Sequence, residues 1–313
     1  MTRNLNTSQA RVIDPILSRH ARGYRNATMI GHLILPYVDV RLRGGTIIKF
    51  GKESFRKYVA RRAPGARTER VTFGYGSGKF SLSQDSLEGV VPTETAEEAQ
   101  KVPGIDLGRH AVERVQDIMA LNREAEVADL VRNPATYAAS NVVTLSGTDV
   151  WTDPDSNPGQ QVDDGEETVR AMIGMRPNTL TMGPGAFKAA KRHPKVIETF
   201  KYTSGGTITL AMLEEYFGKK INVGDGVYLP DEAGDDQPAT DIWGGDVILH
   251  YTPPNSQDYM VPSFGYTYRL AGSPVVEQPY FERNVKSWVY PVTEETEPQV
   301  TGADAGFLIK GAA

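Results

Sequence analysis

The sequence predicts an α+β protein in which one long helix supports separate regions of sheet. Residues 105–132 contain no proline, and their apolar side chains recur at the three- and four-residue steps of an amphipathic helix. Residues 165–230 alternate short helical and short extended patterns, which is typical of a small α/β lobe. From residue 241 onward the pattern is extended again, with frequent glycine and proline.

The long helix has clear end signals. Asp106 is a favourable N-cap, and Pro134 ends the helix because its ring clashes with a continuing turn. At ~1.5 Å per residue, residues 105–132 would span about 40 Å. We expect the apolar face to pack on a sheet. We expect the charged face to be exposed, including Arg109, Glu113, Arg123 and Glu124.

The other elements are short. Residues 1–30 contain few apolar clusters and fit an extended arm with a turn or short helix at 14–17. Pro36 excludes the apolar range 32–40 from a central strand, because proline cannot donate to a ladder, and leaves a sheet edge or an excursion from the sheet. A strand is expected at 46–50, followed after the long helix by an extended range at 142–145, an acidic loop at 152–167, a helix at 166–175, a strand at 179–182, helices at 186–193 and 210–217, and strands at 221–228, 241–251, 266–270 and 285–292. The tail 301–313 is small and mildly apolar, and no element is assigned to it.

Length and composition are those of a globular protein. At 313 residues, with 39% hydrophobic and 23% charged residues, the chain should form two or three compact lobes. No apolar run approaches the ~20 residues that cross a bilayer, and the first residues do not resemble a signal peptide, so we expect a cytoplasmic protein. The absence of cysteine excludes disulfides, thiolate nucleophiles and thiolate metal sites.

Charge is strongly segregated along the chain. Residues 1–79 hold 16 Lys/Arg against 4 Asp/Glu, whereas residues 225–313 hold 4 against 14. A basic region of this kind usually meets an acidic partner, either nucleic acid or protein. Because the acidic partner could be another copy of this chain, self-association and DNA binding both remain open.

The basic residues concentrate in residues 51–82, which we call the basic ribbon. Eight Lys/Arg oppose two Glu there, and five aromatic residues are interleaved with them. A Pro-Gly turn at 64–65 and a glycine cluster at 74–78 predict a long two-stranded excursion. A two-stranded ribbon is marginal alone in water, so it should lie on something else. Nucleic acid and a neighbouring subunit fit equally well.

No motif in the sequence predicts catalysis or a cofactor. Lys79 is followed by Phe80 rather than Ser or Thr, which excludes a P-loop. The loop that begins at Asp153 resembles the start of a calcium-binding loop, but Pro158 replaces the required glycine and Asp164 replaces the bidentate Glu. The five histidines lack zinc-site spacing, and no Gly-x-Ser-x-Gly turn is present. We therefore expect no enzyme, no metal site and no bound cofactor.

Two further features have simple structural interpretations. The Gly-Pro-Gly at 183–185 could bind an anion at a helix start, but it more often only turns the chain. The basic residues of the following helix could contact DNA, face solvent or form a rim between subunits: Lys188, Lys191, Arg192 and Lys195.

Residues 175–202, MRPNTLTMGPGAFKAAKRHPKVIETFKY, resemble the major capsid proteins of tailed bacteriophages. Further stretches are similar to the same family in the same order: DPILSRHARGYRN, RAPGA, TDPDSNPG, DIWGGDVILHY and PSFGYTYR. The resemblance covers nearly the whole chain. It implies the Hong Kong 97 capsid fold. Its parts would be an N-terminal arm (1–50), an extended E-loop (51–82), a peripheral domain (83–164) with the spine helix 105–132, an axial domain (165–240), and a return to peripheral and axial β structure with a C-terminal tail (241–313).

The resemblance implies a structural virion protein that self-assembles into hexamers and pentamers of an icosahedral head shell around double-stranded DNA. Scaffold, portal and decoration proteins are further candidate partners, DNA contact would be non-specific, and no membrane is involved. An encapsulin-like compartment shell and a basic-arm DNA-binding protein are the alternatives. In such shells the E-loop lies over an adjacent subunit, so the candidate contact residues are Arg56, Lys57, Arg61, Arg62, Arg67, Arg70, Phe73 and Tyr75. The expected location is the virion, after assembly in the host cytoplasm.

Overall fold

A computed structural model describes residues 14–23, 29–49, 61, 76–99, 106–201, 207–230, 232–234, 236–253 and 263–313. The helices are α1 (Pro15–Gly23), α2 (Gly31–Ile34), α3 (Thr93–Ala99), α4 (Leu107–Val131), α5 (Pro158–Ile173), α6 (Pro184–Arg192), α7 (Pro194–Phe200) and α8 (Leu210–Phe217). The strands are β1 (Tyr37–Val40), β2 (Gly44–Lys49), β3 (Gly76–Ser81), β4 (Ser83–Pro92), β5 (Val142–Thr144), β6 (Thr179–Met182), β7 (Lys220–Val223), β8 (Val227–Tyr228), β9 (Thr240–Asp241), β10 (Val247–His250), β11 (Gly265–Leu270), β12 (Val275–Val276), β13 (Tyr280–Glu282), β14 (Ser287–Val300) and β15 (Gly306–Lys310).

The long helix α4 has the predicted ends. The Asp106 carboxylate accepts the backbone N–H of Arg109 at 3.0 Å, so the N-cap is confirmed, and the helix ends just before Pro134. Its buried apolar side chains are Val112, Val115, Met119, Val127, Ala128 and Val131. Ile118, which the periodicity placed on the same face, is 45% exposed.

A six-stranded sheet lies against α4. Its strand order is β1-β11-β14-β12, and β4 and β13 also pair with β14. Strand β4 runs antiparallel to β14 over ten residue pairs, from Ser83 opposite Thr296 to Pro92 opposite Ser287. Pro36 immediately precedes β1, which lies at the sheet edge beside β11, so the prediction is confirmed for residues 37–40. The first part of the predicted range is instead helical, as α2. The expected strand 285–292 is longer in the structure and extends to Val300 as β14.

A five-stranded sheet forms the second centre of the molecule, with strand order β5-β15-β10-β6-β7. Its inner strand β15 comes from the tail to which the sequence assigned no element. A short, almost continuously buried strand shows no alternation of apolar and polar residues, and this explains the omission. Strand β5 lies in the predicted peripheral range 83–164 yet belongs to this sheet. The sheet therefore combines strands from all three predicted ranges, 83–164, 165–240 and 241–313. The domain boundaries stay predictions.

Helix α5 corrects the expected acidic loop at 152–167. The helix begins at Pro158, eight residues before the predicted start at 166, with the Asn157 side chain as N-cap. Proline is tolerated at the first helical position because its missing N–H has no helical partner there. Val162 and Val169 are fully buried, while Asp163 and Asp164 are exposed. The acidic residues are therefore the solvent face of an amphipathic helix.

The five-stranded sheet is apolar on both faces. One face carries Leu180, Met182 and Leu249 against α5 to α8, in a cluster that includes the buried Trp151. The other face carries Ile248 and Leu308 against the C-terminal part of α4 and Trp243, in a second cluster. The end of α4 thus packs on one sheet and its middle on the other, which places the helix between the two.

Candidate functional site

The base of the basic ribbon is anchored on the six-stranded sheet. Strands β2 and β3 pair antiparallel from Gly44 opposite Ser81 to Lys49 opposite Gly76. The Phe80 ring stacks on Tyr268 of β11 with a centroid distance of 4.5 Å. The Arg43 guanidinium donates to both carboxylate oxygens of Glu295 on β14, at 2.5 and 2.9 Å. These contacts fix where the ribbon leaves the sheet, beside the end at which β4 begins.

Of the eight candidate contact residues, the structure describes only Arg61, which is exposed. The other seven lie outside the described residues: Arg56, Lys57, Arg62, Arg67, Arg70, Phe73 and Tyr75. Their role as a group stays a prediction.

An acidic surface lies on β4 and α3, and we call residues 83–99 the acidic edge. Five exposed carboxylates stand there: Asp85, Glu88, Glu94, Glu97 and Glu98. No Lys or Arg occurs between residues 80 and 100. A run of one charge directly after the basic ribbon was the signal that could have identified it.

Exposed apolar side chains stand beside the acidic edge, at the end of the sheet formed by β13 and β14. Phe281 and Trp288 lie opposite each other in the strand pair, with their rings edge to face at 5.6 Å. They are 43% and 41% exposed. Val90, Tyr280 and Val285 are also exposed. Exposed aromatic residues of this kind are enriched at the centres of protein interfaces.

Glu124 of α4 is not exposed, contrary to the prediction; it is 3% accessible. Its carboxylate accepts the backbone N–H groups of Ile30 and Gly31 at 2.9 and 2.7 Å, and the indole N–H of Trp243 at 2.8 Å. Burial raises the pKa of the Glu124 carboxyl, and the three donated hydrogen bonds oppose that shift. Helical periodicity places Glu124 on the charged face of α4. It does not show that other segments of the chain pack over that position. It joins α4 to α2 and to the loop before β10.

Arg123 is also largely buried, again contrary to the prediction. It donates to the Tyr37 hydroxyl at 2.5 Å and pairs with Glu294 of β14. Burial raises the pKa of the Glu294 carboxyl, although the charge of Arg123 opposes the shift. Arg109, by contrast, is exposed as expected and donates to Glu113 at 3.2 Å. Arg109 at the start of α4 therefore faces solvent, whereas Arg123 and Glu124 in its second half are enclosed by other parts of the chain.

A second polar cluster ties the end of α4 to the five-stranded sheet. Arg132 donates to the Asp246 carboxylate at 2.8 Å and to the carbonyl of Ile242 at 2.6 Å. The other Asp246 oxygen accepts the N–H of Gly311 at 2.9 Å. Together with the contacts of Arg123 to Tyr37 of β1 and Glu294 of β14, this cluster holds the two sheets to one helix by directional bonds as well as by apolar packing.

The loop that resembles a calcium-binding loop is held by a lysine. The Lys195 ammonium donates to the carbonyls of Asp155 and Ser156 at 2.8 and 2.6 Å. His193 Nε2 lies 3.1 Å from the carbonyl of Asp153, and burial lowers the pKa of this imidazole. One member of the predicted basic cluster, Lys195, thus has structural contacts, and the neighbouring His193 helps to close the same loop.

The Gly-Pro-Gly turn also has a packing explanation. A Cβ atom at Gly183 would overlap the carbonyl of Gly244, so the close approach of two backbones requires glycine there. At Gly185 a Cβ would make only an ordinary contact with Ala313.

Buried charges of the five-stranded sheet region are paired. Glu166 of α5 forms ion pairs with Lys219 and Arg176. Burial opposes ionisation of Glu166, but the hydrogen bonds and charges of these two partners outweigh it and hold the pKa of the carboxyl below its usual value. Across the described ranges, no group of three or more His, Asp or Glu side chains is arranged to hold a metal ion. No helix found there is both long and apolar enough to cross a membrane.

The sequence and the fold both match known phage proteins. Residues 136–288 match the family described as phage major capsid protein E. The chain is 38% identical over 310 residues to the major capsid protein of Burkholderia phage BcepMu, covering 97% of this chain and 98% of that one. The crystal structure of a phage-related protein from Bordetella bronchiseptica RB50 has a TM-score of 0.83 at 45% identity, covering 97% of this chain and 98% of that one.

The fold alone recurs in more distant shells. The capsid structure of cyanophage P-SCSP1u has a TM-score of 0.56 at 10% identity, over 92% of this chain and 89% of that one. The encapsulin complex of Synechococcus elongatus PCC 7942 has a TM-score of 0.52 at 12% identity, over 96% of both chains. The predicted α+β capsid fold is confirmed.

Proposed function

Because this chain belongs to the family of phage major capsid proteins, we propose that it assembles into hexamers and pentamers that close into an icosahedral head shell around the phage double-stranded DNA. The observation that carries the proposal is the end-to-end identity of 38% with a phage major capsid protein. The shared fold adds support over the whole chain length.

The arrangement of the subunit suits such a shell. A body braced by α4 would serve as a tile, with the basic ribbon leaving the sheet at the start of β4 and the α3 carboxylates and exposed aromatic side chains at the end of β4. Unlike surfaces that meet head to tail around a rotation axis generate closed rings. Each ion pair at an exposed contact contributes only ~0–1 kcal/mol, but a ring of contacts acts multivalently and is stable as a whole. The six basic residues among the eight candidates would then set register and sensitivity to salt, and Phe73 and Tyr75 would contribute more of the binding strength where they are buried.

The two alternative functions have less support. The encapsulin resemblance stands at 12% identity and concerns the fold only, whereas the phage relative shares 38%. A DNA-binding function would use the basic ribbon alone and would leave the exposed acidic and aromatic surfaces without a role. We therefore prefer the phage shell to both.

We further propose a structural role without catalysis, in the virion, after assembly in the host cytoplasm. The relatives that support it are capsid proteins. Scaffold, portal and decoration proteins are proposed as further partners, and the packaged DNA would meet the shell through non-specific contacts.

Sedimentation and electron microscopy of the purified protein test the proposal. We expect rings or closed shells at micromolar concentration, and a folded monomer at every concentration would contradict it. Genes beside the reading frame separate the two shell functions, since portal and terminase genes indicate a phage and a cargo enzyme indicates a compartment. Duplex DNA binding by the isolated monomer, with a steep log-log dependence on salt, would favour the DNA-binding alternative.

A further inference from the structure

We propose that a basic groove beside α6, which we call the α6 groove, is the surface on which the subunit meets duplex DNA, through the phosphates of the DNA backbone. The groove lies between α6, α7 and the segment before α8, and it is lined by Phe187, Lys188, Lys191, Arg192, Ile197, Thr207 and Ile208. This inference rests on the proposed shell function, and it names the residues of a DNA contact that the function leaves unassigned.

The three cations of the α6 groove are unpaired. Lys188, Lys191 and Arg192 form no ion pair with any described residue. The closest contact of Lys191 is with the ring of Phe187, whose centroid lies 6.0 Å from the ammonium. Lys195, which follows in the same basic run, is instead bound by loop carbonyls. No carboxylate is among the described residues that line the groove, so its cations keep their attraction for an external anion.

The spacing of the cations suits a row of phosphates. Lys188, Lys191 and Arg192 stand at positions i, i+3 and i+4 of α6, which are neighbours on a helix surface with Cβ atoms about 5–6 Å apart. One DNA strand carries a phosphate every ~3.4 Å along the duplex axis, so long side chains at this spacing reach separate phosphates. The groove has a volume of about 460 Å³, and four of its seven lining residues are exposed, so it is open to a macromolecule.

The groove is locally cationic although the whole chain is acidic. The net charge of the chain is -5, but exposed charges more than ~8 Å away are largely screened at physiological salt. Residues 184–201 hold 5 Lys/Arg and 1 Glu. DNA is therefore attracted to this part of the surface and repelled by acidic parts such as the acidic edge.

Phosphate fits the groove better than an acidic protein surface does. Two of the three cations are lysines, and lysine is depleted in protein interfaces but common in contacts to phosphate. The lysine ammonium is a point charge on a flexible stem, so it can follow phosphates in any register. The exposed Thr207 hydroxyl can donate a hydrogen bond to a phosphate oxygen. Contacts of this kind address the backbone and not the base edges, so the binding is independent of DNA sequence.

Other exposed cations are less available to DNA. Under the proposed shell function, the basic ribbon lies over a neighbouring copy. Arg283 and Lys286 lie on the turn between β13 and β14, where the carbonyl of Lys286 accepts the backbone N–H and the hydroxyl of Thr93 at 3.0 and 2.6 Å. That contact places the turn beside the start of α3 in the acidic edge, and the carboxylates there weaken its attraction for DNA.

The salt dependence of DNA binding tests the inference. The dispersed full-length subunit is titrated against a short labelled duplex at several salt concentrations, and fluorescence anisotropy gives the binding constant. Three phosphate contacts predict a log-log slope of about -2.7, whereas binding by all eight cations of the ribbon would give about -7. In the groove variant, Lys188→Gln, Lys191→Gln and Arg192→Gln keep the side-chain stems and remove the charges. Its slope should rise to about zero, and its affinity at low salt should fall by on the order of tenfold or more.

The control variant removes the same charge from other exposed sites, through Lys220→Gln, Arg283→Gln and Lys286→Gln. It should keep the slope of the unmodified chain, and thermal unfolding checks that both variants fold. An equal loss of slope in the control would overturn the inference, because binding would then depend on net charge alone. An unchanged slope in the groove variant would overturn it as well.

Assembly of the same three proteins separates DNA from a neighbouring copy as the occupant. Both variants should form shells as the unmodified chain does. Loss of shells in the groove variant with an unchanged slope would assign the groove to a contact between copies and would overturn the inference. If the unmodified chain forms no shell while the groove variant still loses its slope, the shell function is contradicted and the assignment of the groove stands.

Discussion

Replacement of Glu124 by Ala should strongly destabilise the subunit. The substitution leaves three buried donors without an acceptor, namely the N–H groups of Ile30 and Gly31 and the Trp243 indole. An unsatisfied buried donor costs about 1–3 kcal/mol, and the three costs are not additive because the site relaxes as a unit. We expect a loss of about 4 kcal/mol, which is a large share of the ~5–15 kcal/mol that stabilises a typical domain.

Replacement of Glu124 by Gln separates shape from charge. The amide keeps the size of the side chain. Its oxygen can still accept the N–H of Ile30 and the indole N–H of Trp243, which share Oε1 in the unmodified protein. Its NH2 group would face the N–H of Gly31, which now donates to Oε2. We therefore expect an intermediate loss of about 2 kcal/mol.

Urea unfolding of the dispersed subunit at pH 7 measures both effects. Trp243 is 1% exposed and lies at the site, so its fluorescence reports the local and the global transition together. Asp129 to Ala is the matched control, because it removes an exposed carboxylate from the same helix and should change stability by less than ~0.5 kcal/mol. A loss below about 1 kcal/mol for Glu124 to Ala, or an equal loss for the control, would refute the assignment of Glu124 as the acceptor that joins α4 to its neighbours.

Three further predictions concern the fold around the candidate surfaces. Gly183 to Ala should cost more than ~3 kcal/mol or prevent folding, whereas Gly185 to Ala should be neutral or stabilising, as thermal unfolding would show. Glu166 to Gln should destabilise most at neutral pH. The lowered pKa of the Glu166 carboxyl gives a stabilisation that is fully present above its ordinary value of 4.5 and is lost as pH falls through the pKa of the folded state. The urea midpoints of the variant and the unmodified protein should therefore converge in acid. Phe80 to Ala removes the stack on Tyr268 and should lower the free energy of unfolding by about 3 kcal/mol. It should also raise the rate of tryptic cleavage within residues 41–79, and an unchanged rate would contradict the role of Phe80 as the anchor of the ribbon.

The predictions that succeeded depended on local chemistry. The ends of α4 followed from Asp106 and Pro134, because capping and the proline clash act within one turn. Gly218 adopts a φ of 62° at the end of α8, which is the left-handed conformation that glycine permits at a helix end. Pro36 led correctly to an edge strand. In each case the residue that determines the local structure lies within a few positions of the element that it begins, ends or limits.

The predictions that failed depended on distant partners. Residues 306–310 form an inner strand only because β10 and β5 flank them, and nothing in their composition shows this. Arg123 and Glu124 were assigned to a solvated face, but β14 and the segment before α2 enclose them. A charged residue is accepted at such a site when its hydrogen bonds are completed by other parts of the chain. A single sequence does not show which parts those are.

The charged surface formed by residues 41–100 lies between these two cases, because one part of it was predictable from the sequence and another was not. Its charge could be read from composition, since the basic and acidic segments follow each other directly between residues 41 and 100. Its geometry could not, because only the pairing of β4 with β14 shows that the ribbon leaves at the start of β4 while the α3 carboxylates follow its end. A catalytic site brings groups of different chemistry to one point. In a head-to-tail ring, by contrast, a subunit presents a different surface to each of its two neighbours, so complementary charges on it are separated. Under the proposed shell function, the ribbon and the α3 carboxylates would act at separate places, and the braced helix α4 would keep their separation constant from copy to copy.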